Sequence, residues 1–181
     1  PGSVRHPLRP LFRWWFPRRL RKQCARACAA AYVTEHALQR RYKPAPRAFS
    51  TYFSSVDLPG SAFISGPRRP SVHASRATLI FVGTLAQLYK APDVVVEAMA
   101  ACVSQGLDLG LTVIGDGTYR PELETRARTL GLADRVCFRG QVTAGDTVRK
   151  QLDQADVFVL PSRQEGLPRA MLEAMARALP C

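Results

Sequence analysis

Between residues 78 and 181, short apolar runs rich in β-branched residues alternate with stretches of helical periodicity. That alternation leaves few folds open. It predicts strands over Thr78–Gly83, Leu109–Ile114, Arg135–Arg139 and Asp156–Leu160. Helices are expected over Pro92–Gln105, Pro121–Leu130, Ala144–Gln154 and Pro168–Leu179. Val95, Ala98, Met99, Cys102 and Val103 recur at helical spacing in the first of these. Gly131 reads as a helix stop, and Pro168 suits a first helical turn. Strands alternating with helices imply an α/β fold, a Rossmann-like doubly wound parallel sheet covered on both faces. Crossovers are expected to be right-handed.

The chain before this region is patterned differently. Residues 1–76 carry fifteen Lys/Arg against Glu35 and Asp57, whereas residues 77–181 carry eleven against twelve acids. The formal net charge of +12 therefore sits in the first part. Pro1–Pro17 is rich in Pro and Arg, with Phe12, Trp14, Trp15 and Phe16 interleaved. A basic helix is expected over Arg18–Ala30, a short strand over Ala31–Thr34 and a helical turn over Glu35–Tyr42. Residues 60–76, with Gly60, Gly66, Pro67 and Pro70, read as a linker. The expected organisation is a partial first domain (1–59), the linker (60–76) and a second domain (77–181). The start at Pro1 and the stop at Cys181 read as those of a fragment with an unfinished sheet edge, which predicts poor stability in isolation.

No run of about 18 apolar residues occurs, so no transmembrane helix is expected. Cys24, Cys28, Cys102, Cys137 and Cys181 are odd in number and form no C-x-x-C pair. His6, His36 and His73 do not complete a zinc spacing, so reduced thiols and no metal are expected. Cys24 and Cys28, one helical turn apart, suit a packed helix face.

In an open doubly wound sheet, ligands bind beyond the carboxyl ends of the strands, where the order reverses. An order of 3-2-1-4 places two tips there: Gly83-Thr84-Leu85 and Pro161-Ser162-Arg163-Gln164-Glu165. Gly166 permits close backbone approach, and free N–H groups near Leu167–Ala170 favour an anion. Glu165 and Glu173 are strong acceptors for sugar hydroxyls. Glu165 reads also as an ordinary acid near a helix start, and Glu173 as a solvated surface residue. Lys90 reaches a diphosphate as a point charge, or is a solvated loop lysine. Gly115-Asp116-Gly117 reads more readily as a turn than as chemistry. Gly140 and Gln141, at a strand end, offer backbone against which a base can rest. No D-x-D sequence occurs, so a metal-bridged diphosphate is not demanded.

These residues carry a resemblance. F-V-G-T-L-x5-K at 81–90, V-I-G-D-G at 113–117, R-V-C-F-R-G at 135–140 and P-S-R-Q-E-G-L-P-R-A-M-L-E-A-M-A at 161–176 resemble the C-terminal domain of family 4 retaining glycosyltransferases of the GT-B fold. Glu165 and Glu173 match that family's E-x7-E motif. Residues 31–58 look like the end of its N-terminal domain. The resemblance implies a hexosyltransferase-type glycosyltransferase of polysaccharide biosynthesis that uses a nucleotide sugar, retains anomeric configuration and needs no metal or other cofactor. Glu173 then holds ribose hydroxyls, and Glu165 binds the donor sugar and is the best catalytic candidate. The Gly166 and Leu167 amides lie beside it, and Lys90 neutralises the diphosphate. Gly83, Thr84 and Gly140 complete the implied donor site. Many members have Arg where this chain has Thr84, which weakens the implied diphosphate site or shifts its load to Lys90 or another base. The acceptor, a glycan, lipid or small molecule, belongs to the N-terminal half of such enzymes, so the fragment is expected to bind donor and be inactive alone.

Other readings compete. Arg5–Arg26 with Trp14, Trp15 and Phe16 suits a peripheral membrane contact through residues 1–26, with a cytoplasmic protein resting on the inner face of the membrane. The same helix suits packing on a missing domain. No recognition motif accompanies the charge, so a nucleic-acid partner is not expected. A phosphorylase or epimerase on the same fold is a further alternative, because fold alone does not fix the reaction.

Overall fold

A computed structural model describes residues 7–54, 56–68 and 76–181. The chain divides into two compact units, with the division along the sequence between Asp57 and Leu58.

In the smaller unit, α1 spans Arg9–Cys24, β1 Ala29–Tyr32, α2 Ala37–Arg41 and β2 Phe49–Tyr52. Helix α1 starts nine residues before the expected Arg18 and ends at Cys24, not Ala30. Pro10 supplies its first turn, and Pro17 is carried inside the helix. Cys28 lies beyond the helix and is exposed, so Cys24 and Cys28 do not share a helical face. Strand β1 begins two residues before the expected Ala31. It pairs in parallel with β2, from Ala29 with Phe49 to Tyr32 with Tyr52. Sequence reading does not find β2: all four of its residues are exposed, so it has no apolar alternation to read. Tyr32 is buried and donates its hydroxyl to the Tyr42 carbonyl at 2.6 Å.

The larger unit opens with a 3₁₀ turn at Gly60–Ala62. This part of the expected linker is docked. Ile64 N–H donates to Ala176 O at 3.1 Å, Arg177 donates to Ala62 O, and Arg68 donates to Leu152 O at 3.0 Å. The rest of that stretch, residues 69–75, lies outside the described residues, as do residues 1–6 of the basic arm.

The elements that follow are β3 (Ala77–Val82), α3 (Pro92–Ser104), β4 (Leu109–Ile114), α4 (Arg120–Thr129), β5 (Val136–Gly140), α5 (Asp146–Asp153), β6 (Val157–Phe158) and α6 (Arg169–Ala176). The sheet runs β5-β4-β3-β6 with every pairing parallel, which is the expected 3-2-1-4 order. Strand β6 is shorter than expected, although Asp156 N–H and Val159 N–H still donate to Thr78 O and Ile80 O. Its outer side receives one bond, from Phe158 N–H to Pro180 O at 2.7 Å.

Successive strand residues point to opposite faces. Phe81, Leu111 and Val113 therefore join Val95, Val96, Met99, Leu123 and Ala127 in one core layer. Ile80, Ile114 and Phe158 join Val148, Leu152, Ala174 and Leu179 in the other. This two-faced burial fixes the register: a one-residue slip would carry Phe81 into the wrong layer. Because the four strands are parallel, their carboxyl ends, where ligands bind in such folds, lie along one edge of this sheet.

Candidate functional site

The turn after β3 is packed backbone to backbone against the turn after β4. Gly83 N–H donates to Ile114 O at 2.9 Å, and Leu85 N–H to Asp116 O at 2.9 Å. Gly115 and Gly117 have φ of 135° and 154°. A side chain on Gly115 would enter the Gly83 carbonyl, and one on Gly117 would enter the Leu85–Ala86 peptide. The turn reading of Gly115-Asp116-Gly117 is thus given a physical cause: contact close enough to exclude a Cβ. Thr84 hydroxyl accepts from Ala86 N–H at 3.1 Å, within the same turn.

Lys90 rises from a 3₁₀ turn at Leu88–Lys90 and crosses over Gly83. A Cβ on Gly83 would stand 2.5 Å from the Lys90 Cδ, so glycine there makes room for the lysine stem. Lys90 Nζ lies 2.8 Å from Glu165 Oε2. Both side chains are largely withdrawn from water, 14% and 24% exposed, so the pair is more than a surface ion pair. Ser162 hydroxyl donates to the same carboxylate oxygen at 3.3 Å. The fold therefore brings Gly83, Lys90 and Glu165 together from the tips of β3 and β6. Gly166 has nothing within 4 Å of the position a Cβ would take, and Leu167 is exposed; both lie open just before α6.

Gly140 closes β5 at φ 70° and is bridged to Gly115, whose N–H donates to Gly140 O at 2.8 Å. Arg120 lies against it. Its guanidinium donates to Asp116 at 3.0 Å, Glu124 at 2.7 Å and the Phe138 carbonyl at 3.2 Å. Glu173 sits one turn into α6, is 6% exposed, and accepts from Arg169 Nε at 3.1 Å. Its partner in hydrogen bonding is therefore not the Lys90–Glu165 pair.

Two features escape sequence reading. One is the Asp116–Arg120 pair beside Gly140. The other is Arg163, which forks onto Asp93 at 2.7 and 2.5 Å and onto Leu88 O at 2.8 Å. Asp93 falls in the first turn of α3, where an acid is ordinary, so its sequence position carries no signal. Hydrogen bonds from Arg163 hold the Asp93 carboxyl below the usual range, and Asp93 in turn raises Arg163. The Gly117 N–H, then Arg120, lower Asp116.

Because Arg163 holds Asp93 low, the pair ties stability to pH. A carboxylate with a depressed folded pKa stabilises the fold above its unfolded value of about 3.9, and that stability is lost as pH falls through the folded value. Chemical unfolding between about pH 2 and 6 should show Asp93→Asn with a shallower loss on acidification than the parent. Equal acid slopes would contradict the pairing.

Among the described residues no three His, Cys, Asp or Glu are grouped to hold a metal ion. What the edge offers is Lys90 paired with Glu165, open backbone amides at a helix start and the Glu173 carboxylate. That combination suits a ligand bearing both phosphate and hydroxyls.

Comparison with known proteins identifies the family and the fold. Residues 76–181 match the family model described as glycosyl transferases group 1. The chain is 32% identical over 105 residues to the alpha-D-kanosaminyltransferase of Streptomyces kanamyceticus, covering 58% of this chain and 27% of that protein. It is 35% identical over 107 residues to the lipopolysaccharide core mannosyltransferase LpsB of Rhizobium meliloti, covering 55% and 30%. Among solved structures it resembles Alr3699/HepE of Anabaena in complex with UDP and glucose, with a TM-score of 0.64 at 17% identity over 87% of this chain and 44% of that one. The chain thus spans under a third of the length of these curated relatives. Its larger unit has the Rossmann-like architecture of the GT-B fold, and the chain belongs to the group 1 glycosyltransferases.

Proposed function

We propose that the larger unit binds the nucleoside-diphosphate sugar donor of a retaining, family 4, hexosyltransferase-type enzyme, without a bound metal. The observation that carries this reading is Lys90 Nζ placed 2.8 Å from Glu165 over Gly83, at the point where the strand order reverses. Lys90 meets the diphosphate, and the open amides at Gly166 and Leu167 add dipole and hydrogen-bond donors. Glu165 faces the sugar, Glu173 the ribose, and Gly140 lends backbone to the base. Charge that develops on the leaving diphosphate is met by groups already in place, which is how a site accelerates such a transfer. The UDP and glucose in the Anabaena structure support this ligand class. The acceptor is a glycan, lipid or small molecule, and the name of the Rhizobium relative supports the first two. Calorimetric titration should show UDP or GDP binding to the folded chain, unchanged by Arg13→Ala. A folded chain that binds neither would count against the site.

The whole protein is proposed to work at the cytoplasmic face of a membrane. No described helix is long and apolar enough to cross one. Helix α1, however, buries none of its residues. It exposes Leu11, Trp14, Trp15, Phe16 and Leu20, with Arg18 and Arg19 stacked on the two indoles at 4.3 and 5.0 Å. Basic residues near an anionic surface contribute about 1 kcal/mol each. Sedimentation with phosphatidylglycerol vesicles should show binding that falls with salt and is lost without residues 1–26. Binding that survives the deletion would refute this contact.

A further inference from the structure

We propose that Arg163 is a positioning residue that sets Lys90 for the diphosphate, an inference that rests on the donor-site reading above. The turn that bears Lys90 is not self-sufficient. It is a single 3₁₀ turn, and it leaves through Ala91 at φ 57°, a left-handed conformation disfavoured for a residue that carries a Cβ. Such a conformation persists where its surroundings over-determine it.

Beyond the bonds of Ala91 to Leu88 and to the start of α3, one residue holds this turn from outside. Arg163 N–H donates to Tyr89 O at 2.7 Å, and Gln164 N–H reaches the same oxygen at 3.4 Å. The Arg163 guanidinium donates to Leu88 O at 2.8 Å and grips Asp93 with two parallel bonds. The two carbonyls before Lys90 and the carboxylate after Ala91 are therefore all held from one side chain and its own backbone. A bidentate guanidinium–carboxylate pair fixes orientation as well as distance, which a lysine at this position would not do. Arg163 is also two residues from Glu165. It thus ties the tip of β3 to the tip of β6 and fixes where Lys90 Nζ stands relative to Glu165. Neither Gly140 nor Glu173 shares a bond with it, so the nucleoside end of the donor lies outside its reach.

The test compares UDP with uridine, and GDP with guanosine, on the full chain by ligand-observed NMR. Arg163→Gln should weaken the diphosphate about tenfold and leave the nucleoside unchanged, a split that general destabilisation would not produce. Asp93→Asn, which keeps the side-chain shape, should give the same split if Arg163→Gln folds poorly. In Lys90→Ala, adding Arg163→Gln should cost nothing further. Equal losses for diphosphate and nucleoside would overturn the proposal. So would a full additional loss in the double variant, which would make Arg163 a direct phosphate contact. Diphosphate binding that survives both single variants would overturn the positioning role while leaving the donor site standing. A parent chain that binds no diphosphate would overturn both.

Discussion

Replacing Gly115 with alanine is expected to lower the stability of the larger unit by about 3 kcal/mol or more, one of the largest effects a single methyl group can have. Two costs combine. The residue sits at φ 135°, a conformation that L side chains rarely adopt. The added carbon would also enter the Gly83 carbonyl, a backbone atom that cannot swing aside. Gly83 is held by Ile114 O, so relief would have to come from separating β3 and β4. The measurement is chemical unfolding with Gly60→Ala as comparison, because nothing lies within 4 Å of a Cβ there. A Gly115→Ala loss no larger than that of Gly60→Ala would show that the two turns are not packed as described.

Glu173→Ala is expected to weaken UDP binding on the order of 100-fold. Vicinal ribose hydroxyls can both donate to one carboxylate, and hydrogen bonds to a charged group are worth about 1.5–3 kcal/mol each. The carboxylate is already buried and oriented by Arg169, so little ordering is left to pay on binding. Its removal costs the fold little, since Arg169 is 56% exposed and remains solvated. Glu173→Gln, with one carbonyl oxygen and no charge, should fall between the two. Calorimetry on variants with unchanged unfolding midpoints gives the comparison. Affinity retained in Glu173→Ala would assign that carboxylate to α6 structure alone.

The doubly wound unit was legible because its signals are local. Periodicity located the four strands and four helices, and Gly131, found at φ 71°, stops α4 as its position implied. Burial on both faces made the central strands β3 and β4 near-continuous apolar runs, whereas the edge strand β5 alternates in exposure. The smaller unit was less legible. Strand β2 depends on a parallel partner twenty residues away and exposes every side chain, so nothing in Phe49–Tyr52 announces it. Helix α1 runs through Pro17, which sequence rules treat as a boundary. At the site, Lys90 and Glu165 were individually visible, but the bond between them spans 75 residues and exists only because β3 and β6 are neighbours. The Arg163–Asp93 clamp was invisible for a similar reason: each partner has an ordinary local explanation, and only the fold sets them face to face.

The most direct measurement is an amide-resolved NMR titration of the chain with UDP and with GDP. The account predicts saturable shifts concentrated at Gly83, Thr84, Lys90, Gly140, Gly166, Leu167 and Glu173, with α1 unmoved. Saturable shifts centred on α1 and the Arg-rich smaller unit, with those seven residues still, would contradict it.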